Sequence, residues 1–365
     1  MDCPGADASV LTAGDGDMVA MPMLRAVFMG TSPFAAVILK RLLAEDSLEL
    51  VAVYTQPDRP AGRGKRLSRP PVKTLAEAHD LAVEQPPDFA KTPQGDTAVR
   101  VLAAYAPDVL LVAAYGLILP QRVLDIPKLM SLNVHASLLP KYRGAAPIQR
   151  AIMQGERCTG VTIMRMEAGL DCGPILIQRA VGIGISDTSA TLHEELAETG
   201  AELLSIALRR LSAGTLPEIP QEHTRATYAH KLRKDDGLLD FSWDSQKIHA
   251  HIRGVTPWPG ASIMLHREGQ ADLAVLVGPG VFPLADGMNR AIAAHRAAMA
   301  QGNPQLIGLV EGALLLSCGG GGYAFTSLRP AGGKSMDAAA FYNGYIAGAR
   351  GVHFSGRRNI AKLTC

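Results

Sequence analysis

Short apolar runs alternate with amphipathic stretches from Leu24 to Ala213, and this rhythm leaves few folds open to the chain. Leu24–Gly30 is an apolar run closed by Gly, followed at once by Thr31, Ser32 and Pro33. A hydroxyl residue before Pro starts a helix, because the hydroxyl can cap and Pro presets φ. Phe34–Ala44 continues as an amphipathic helix and Leu48–Tyr54 reads as the second strand. Thr92–Tyr105 is helical. Val109–Tyr115, Leu132–Ala136, Gly160–Met166 and Ile175–Ile183 read as strands, and Thr188–Ala213 as a long helix. Strand and helix in alternation predict a Rossmann-like α/β domain: a mostly parallel sheet with helices on both faces.

The pattern changes at Gly214. Residues 214–227 are rich in Pro, Glu and Thr, have no periodicity, and read as a linker. Beyond them the apolar segments are short and β-like: Leu238–Trp243, Ala261–Leu265, Leu273–Val277, Gly308–Glu311, Ala313–Cys318 and Tyr323–Leu328. Glycine-rich turns separate several of them, which predicts a small, mostly antiparallel barrel. The expected organisation is a disordered extension over 1–22, a catalytic domain over 23–213, the linker, and a second domain over 228–365. An insert at about 279–303 carries an alanine-rich helix, Met288–Ala300.

Composition narrows the function. With 47% hydrophobic and 19% charged residues in 365, the chain suits a globular protein with a sizeable core. No apolar run approaches membrane-spanning length, so no membrane association is expected. The first twenty residues lack the basic start and apolar centre of a secretory signal. Cys3, Cys158, Cys172, Cys318 and Cys365 are scattered without paired spacing, which supports neither a zinc site nor a disulfide framework. A reducing, cytoplasmic setting and no metal follow as expectations. Residues 221–365 hold 15 Lys and Arg against 10 Asp and Glu, a net of +5, while residues 1–220 carry a net of −3. A basic second part favours an anionic partner.

The chemistry is concentrated in Asn133-Val134-His135-Ala136-Ser137-Leu138-Leu139-Pro140-Lys141-Tyr142-Arg143-Gly144. Side chains alternate along a strand, so Asn133 and His135 face the same way. They sit at the carboxyl end of a strand, where parallel sheets bind ligands. Asp171 arrives later in Gly169-Leu170-Asp171-Cys172-Gly173-Pro174, where flanking glycines let backbone approach a ligand. Taken singly, each has a plainer reading: a polar pair capping a strand, an Asp forming a turn. Together, Asn133, His135 and Asp171 fit acyl transfer. The Asn amide and a His N–H can hold an oxyanion, and Asp can orient the His or manage a proton. Gly30-Thr31-Ser32-Pro33 lacks the dinucleotide fingerprint, so a nicotinamide cofactor is not expected. No Ser or Cys sits in a nucleophile motif, which favours direct transfer between two bound substrates.

Asn133-x-His135 followed by Ser-Leu-Leu-Pro-x-Tyr-Arg-Gly, with the later Gly-Leu-Asp-x-Gly-Pro, resembles the 10-formyltetrahydrofolate-dependent formyltransferases. Gln56-Pro57-Asp58-Arg59-Pro60-Ala61-Gly62-Arg63-Gly64-Lys65-Arg66 is similar to the basic loop of the branch that formylates methionine on initiator tRNA. Ala114–Pro120, Ala145–Ile152, Thr227–Leu232 and Pro257–Gly260 also resemble that branch, and the likeness runs from about Leu24 to about Ala349. It implies catalytic roles for Asn133, His135 and Asp171. It implies a 10-formyltetrahydrofolate site at Ser137, Leu138, Leu139 and Pro140, with Tyr115, Gly116, Leu117 and Ile118 as a wall. It implies initiator methionyl-tRNA as partner, Arg63 at its acceptor end with Arg59, Lys65 and Arg66 assisting, and an OB-like second domain; the protein is expected to be a monomer. Lys231 and Arg233 are candidate phosphate contacts, with Lys234, Arg253 and Lys334 beside them. Formylation of a small amine such as a sugar nucleotide or glycinamide ribonucleotide, and a catalytically silent tRNA-binding module, are the alternatives. Ala136 and Cys172 depart from the family's usual Gly and Thr.

Overall fold

The computed structural model describes residues 23–61, 66–295 and 304–357. The extension over 1–22, Arg63, Lys65 and the end of the 279–303 insert lie outside the described residues. The described residues form two compact units. One joins the chain up to Pro147 with Cys158–Gly182 and His193–Ala229; the other joins Ile148–Arg157, Ile183–Leu192 and the chain from His230.

In the first unit, β1 (Leu24–Gly30) leads to α1 (Pro33–Leu42) and β2 (Leu48–Tyr54). A short hairpin, β3 (Arg59–Ala61) with β4 (Arg66–Ser68), precedes α2 (Pro71–Glu77) and β5 (Val83–Glu84). Then come α3 (Pro93–Ala104), β6 (Val109–Ala113), α4 (Gln121–Leu124) and β7 (Met130–His135). Along the chain, α5 (Pro147–Met153), which belongs to the second unit from Ile148 on, leads to β8 (Cys158–Arg165), β9 (Ile175–Gly182) and α6 (Ser189–Ser212), which belongs to the first unit from His193 on. The sheet order is β5-β2-β1-β6-β7-β8-β9. Pairing is parallel from β5 to β7, and β8 and β9 close that side as antiparallel strands.

The expected α/β architecture is observed, for the expected reason. All five residues of β6 are buried, as in a strand covered on both faces. β6 stops at Ala113 rather than Tyr115, because Ala114 at φ 43° turns the chain out of the sheet. Residues 214–227 are attached to the sheet rather than hanging free: Ile219 and Ile175 exchange two backbone hydrogen bonds of 2.8 Å.

The second unit carries α7 (Ser245–Val255), β10 (Ala261–His266), β11 (Leu273–Val277) and α8 (Asp286–His295). It continues with β12 (Leu306–Val310), β13 (Ala313–Cys318), β14 (Gly321–Phe325) and β15 (Ser327–Pro330). It ends with β16 (Met336–Asp337), α9 (Ala338–Tyr345) and β17 (His353–Ser355). Its strands form an antiparallel five-stranded sheet, β16-β15-β11-β10-β17, and a three-stranded one, β12-β13-β14. Two expectations are corrected. Leu238–Trp243 is not a strand, because Asp240 accepts from the N–H and hydroxyl of Ser242 and folds the chain into a turn. Tyr323–Leu328 is broken at Thr326, where the chain leaves one sheet for the other. The sequence reading missed α7 and α9, whose starts are capped by Asp244 and Asp337.

A Ser–His–Asp chain in this unit is a structural staple, with His and Ser buried and Asp272 exposed. His266 meets Asp272 and Ser355 at 2.7 Å each, joining β10 to β17, and Ser355 is only 4% exposed. On α7, His251 is 2% exposed and its Nε2 donates to Asp236 O at 2.7 Å. Burial lowers the pKa of His251 to about 4 and lowers that of His249 as well. In the unfolded chain both titrate near the ordinary imidazole value of about 6.5. Between about pH 6.5 and pH 4 the unfolded chain therefore binds more protons than the folded one, and stability falls as the pH drops. His251 alone accounts for a loss of about 3 kcal/mol by pH 4. Urea midpoints at pH 7 and pH 4.5 test this: a clear drop at the lower pH is expected in the wild type, and a smaller one in His251→Gln. Equal wild-type midpoints would contradict it.

Candidate active site

β7 delivers the polar pair. Asn133 pairs in register with Val112 of β6 and Met164 of β8, and His135, the last residue of the strand, faces Thr162. Both are buried, Asn133 at 9% exposed and His135 at 6%. They share one face of the strand by its two-residue period. His135 Nε2 lies 3.0 Å from Tyr142 O. A carbonyl only accepts, so Nε2 carries the proton and donates. Its other nitrogen, Nδ1, lies 3.7 Å from Asp171 Oδ2.

Asp171 reaches that position from a loop bent hard between β8 and β9. Its φ is 48°, in the left-handed region that costs a non-glycine residue about 1 kcal/mol or more. The structure thus brings His135 and Asp171 together, with Asn133 on the same strand face as His135. The carboxylate accepts from Gly144 N–H at 2.7 Å, so the turn after β7 and the Asp171 loop are joined directly. That turn holds two more positive φ values, Tyr142 at 61° and Gly144 at 115°.

Two residues that the sequence reading left without a role hold this corner. Arg143 is 3% exposed and Gln221 6%. Arg143 donates through Nε and Nη2 to Gln221 Oε1, at 3.1 and 2.6 Å. Gln221 Nε2 donates to Asp171 O at 2.9 Å and to Gly173 O at 2.7 Å. Arg143 stands inside the recognised motif. Gln221 lies in the aperiodic stretch 214–227, where no spacing marks it.

Ser137, Leu138, Leu139 and Pro140 run from β7 into this turn. Ser137 is fully buried and its hydroxyl donates to Lys141 O at 2.7 Å. Thr162 donates to Ser137 O at 2.7 Å and accepts from Leu139 N–H at 3.2 Å, while Gln178 Nε2 donates to Leu139 O at 2.8 Å. Leu138 packs against Gly160 of β8, where a Cβ would collide with its side chain. The loop therefore presents a pinned backbone rather than a free Ser hydroxyl. The neighbouring loop after β6 carries the other expected wall. Tyr115 is 2% exposed and burial raises its pKa, whereas Ile118 is 89% exposed. Gly116 sits at φ 80° against the Gln56 amide, which donates to Tyr115 O at 3.0 Å. Both loops lie at the carboxyl edge of the sheet, since β6 and β7 are parallel neighbours.

Among the basic candidates, Arg59 is exposed on β3, and Arg66 is the first residue of β4. The base of this hairpin is anchored: Lys73 donates to Asp58 at 2.8 Å, and Gln85 Nε2 donates to both Asp58 Oδ1 and Gln56 O at 2.9 Å. The Lys73 hydrogen bond holds the Asp58 carboxyl below its usual range. In the second unit Lys231, Arg233, Lys234 and Lys334 are exposed. Arg253 is a correction: it is 5% exposed, and its Nη1 donates to Gly184 O and Asp187 O, so the fold uses it rather than a phosphate. Among the described residues no group of three or more His, Cys, Asp or Glu is placed to hold a metal ion. No described helix is long and apolar enough to cross a membrane.

The family described as formyl transferase matches residues 24–208, and the formyl transferase C-terminal domain matches residues 231–346. The chain is 47% identical over 329 residues to the methionyl-tRNA formyltransferase of Nitratidesulfovibrio vulgaris strain DP4, covering 90% of this chain and 95% of that protein. It is 45% identical over 321 residues to that of Pseudomonas fluorescens strain SBW25, covering 88% and 93%. Solved structures share the fold at lower identity. HypX from Aquifex aeolicus in complex with tetrahydrofolic acid aligns at TM-score 0.54 and 18% identity, over 90% of this chain and 48% of that one. A sugar N-formyltransferase from Shewanella aligns at TM-score 0.53 and 17% identity, over 71% and 99%.

Proposed function

The chain belongs to the methionyl-tRNA formyltransferase family, and from that footing we propose how its own residues carry formyl transfer from 10-formyltetrahydrofolate to the α-amine of methionine on initiator tRNA. The observation that carries the reading is His135 at the end of β7, facing Asp171 at 3.7 Å, with Asn133 on the same strand face. The amine nitrogen attacks the formyl carbon, and the carbonyl oxygen becomes an oxyanion. The Asn133 amide and the His135 N–H stabilise it, in a site whose low exposure strengthens each hydrogen bond. Because Tyr142 O holds the Nε2–H of His135, that donor has to turn toward the oxyanion as charge develops. The amine's proton passes to His135 Nδ1, the nitrogen left unprotonated, and Asp171 orients His135 and supports the positive charge it then carries. The bond from the formyl carbon to N10 then breaks, N10 takes the proton back from His135, and tetrahydrofolate leaves.

Ile118, exposed beside Gly116 and half-buried Leu117, offers an apolar wall to a pterin ring. The pinned backbone of Ser137–Pro140 is the opposing element. Arg59, Arg63, Lys65 and Arg66 meet the acceptor end of the tRNA, and Lys231 and Arg233 its phosphates, in a salt-dependent contact. The protein acts in the cytoplasm as a monomer.

The test is transfer of labelled formyl from 10-formyltetrahydrofolate to charged initiator tRNA, with an amino-sugar nucleotide and glycinamide ribonucleotide as competitors. Formylation of the tRNA at least about a hundredfold more efficient than of either small amine is expected. Comparable or better use of a small amine, or tight tRNA binding with no transfer, would overturn the assignment.

A further inference from the structure

We infer that Gln221 is a positioning residue for formyl transfer, holding Asp171 at its working distance from His135. This rests on the reading of Asp171 as a member of the site. A side-chain amide offers two donor hydrogens and an oxygen with two lone pairs. In Gln221 all four are used: two hydrogens on Asp171 O and Gly173 O, two lone pairs on the Arg143 guanidinium. The amide therefore spans both sides of the Asp171 bend and ties them to the turn that follows His135.

That turn also holds the other end of Asp171. Gly144, next to Arg143, donates its N–H to Asp171 Oδ2. Backbone and carboxylate of one residue are thus fastened to two successive residues of the same turn, one directly and one through Gln221. Asp171 sits at φ 48°, a conformation that persists only where its surroundings over-determine it. Gln221 is itself fixed, because Ile219 two residues before it is hydrogen-bonded to Ile175 in both directions. A stretch whose composition reads as a connector therefore carries part of the site's framework. Without the two amide hydrogens, two carbonyls inside the bend lose their donors and the carboxylate loses its fixed reach to His135.

The test uses the full chain with Gln221→Met, which keeps length and removes all four bonds, and Gln221→Glu, which keeps the acceptor for Arg143 and removes only the donors. Both are expected to lower kcat by about 10- to 100-fold with KM for each substrate within about twofold, because a small misplacement in the site is felt in turnover. In an Asp171→Asn background, Gln221→Glu is expected to add little further loss, since both act through one group. Thermal melting identifies a variant that folds poorly, and the other then carries the measurement. Wild-type kcat in a folded variant overturns the role. So does a loss that multiplies with that of Asp171→Asn, the signature of general structural damage. Wild-type turnover in Asp171→Asn itself would instead overturn the reading of the site, and the positioning role with it.

Discussion

Asn133→Ala and His135→Ala are each expected to lower kcat for formyl transfer by about 10²- to 10³-fold, the cost of losing one oxyanion donor. KM for methionyl-tRNA should change little, because neither residue lies on the hairpin or among the exposed basic residues of the second unit. The loss should sit in kcat and kcat/KM alike, marking an interaction made in the transition state. The fold is expected to survive. Asn133 and His135 stand at the carboxyl end of β7, while the interior of the sheet is built on Leu132, Val134 and the fully apolar β6. Single-turnover rates with saturating substrates, alongside thermal melts, are the measurement. A variant that keeps wild-type single-turnover rate would remove its residue from the chemistry. A variant whose KM for tRNA rises while kcat holds would assign it to binding instead.

Gly173→Ala should be nearly as damaging. A Cβ on Gly173 would fall far inside contact distance of Arg165 O, and 3.1 Å from the carbonyl carbon of Arg165. These are backbone atoms at the end of β8, where Arg165 N–H is itself bonded to Pro174 O at 3.0 Å. No side-chain rotation relieves the conflict, so the bend carrying Asp171 must move by about 1 Å, enough to cost roughly 10²-fold in rate. The same overpacking should cost about 1–3 kcal/mol of stability. Gly155→Ala is a fitting control for added bulk, since nothing lies within 4 Å of its Cβ position, although its φ of 77° strains any side chain. Parallel kcat values and melting temperatures decide the matter. Wild-type turnover in Gly173→Ala would show that the Asp171 bend tolerates displacement.

How much was legible in advance depended on how local each signal was. β1, β2, β11 and β13 match the expected bounds because each is a continuous apolar run between turn-forming residues. Leu238–Trp243 failed because a period of apolar residues says nothing of Asp240, whose side chain outcompetes a ladder for the backbone. Arg253 reads as one more surface cation, and only the packing of α7 against the segment at Gly184 and Asp187 removes it from the surface.

The chain's sequence by itself determined the α/β rhythm, the family, and Asn133 and His135 as a pair, because strand periodicity and a long irregular motif are properties of neighbouring residues. Only the tertiary structure decided the rest. It brings Asp171 within 3.7 Å of a histidine 36 positions earlier. It shows Ser137 to be a buried brace, and it turns Gln221 from connector into clamp. A hydrogen bond depends on atoms meeting in space, and a bend at φ 48° held by a distant amide leaves no period, spacing or composition for the sequence to display.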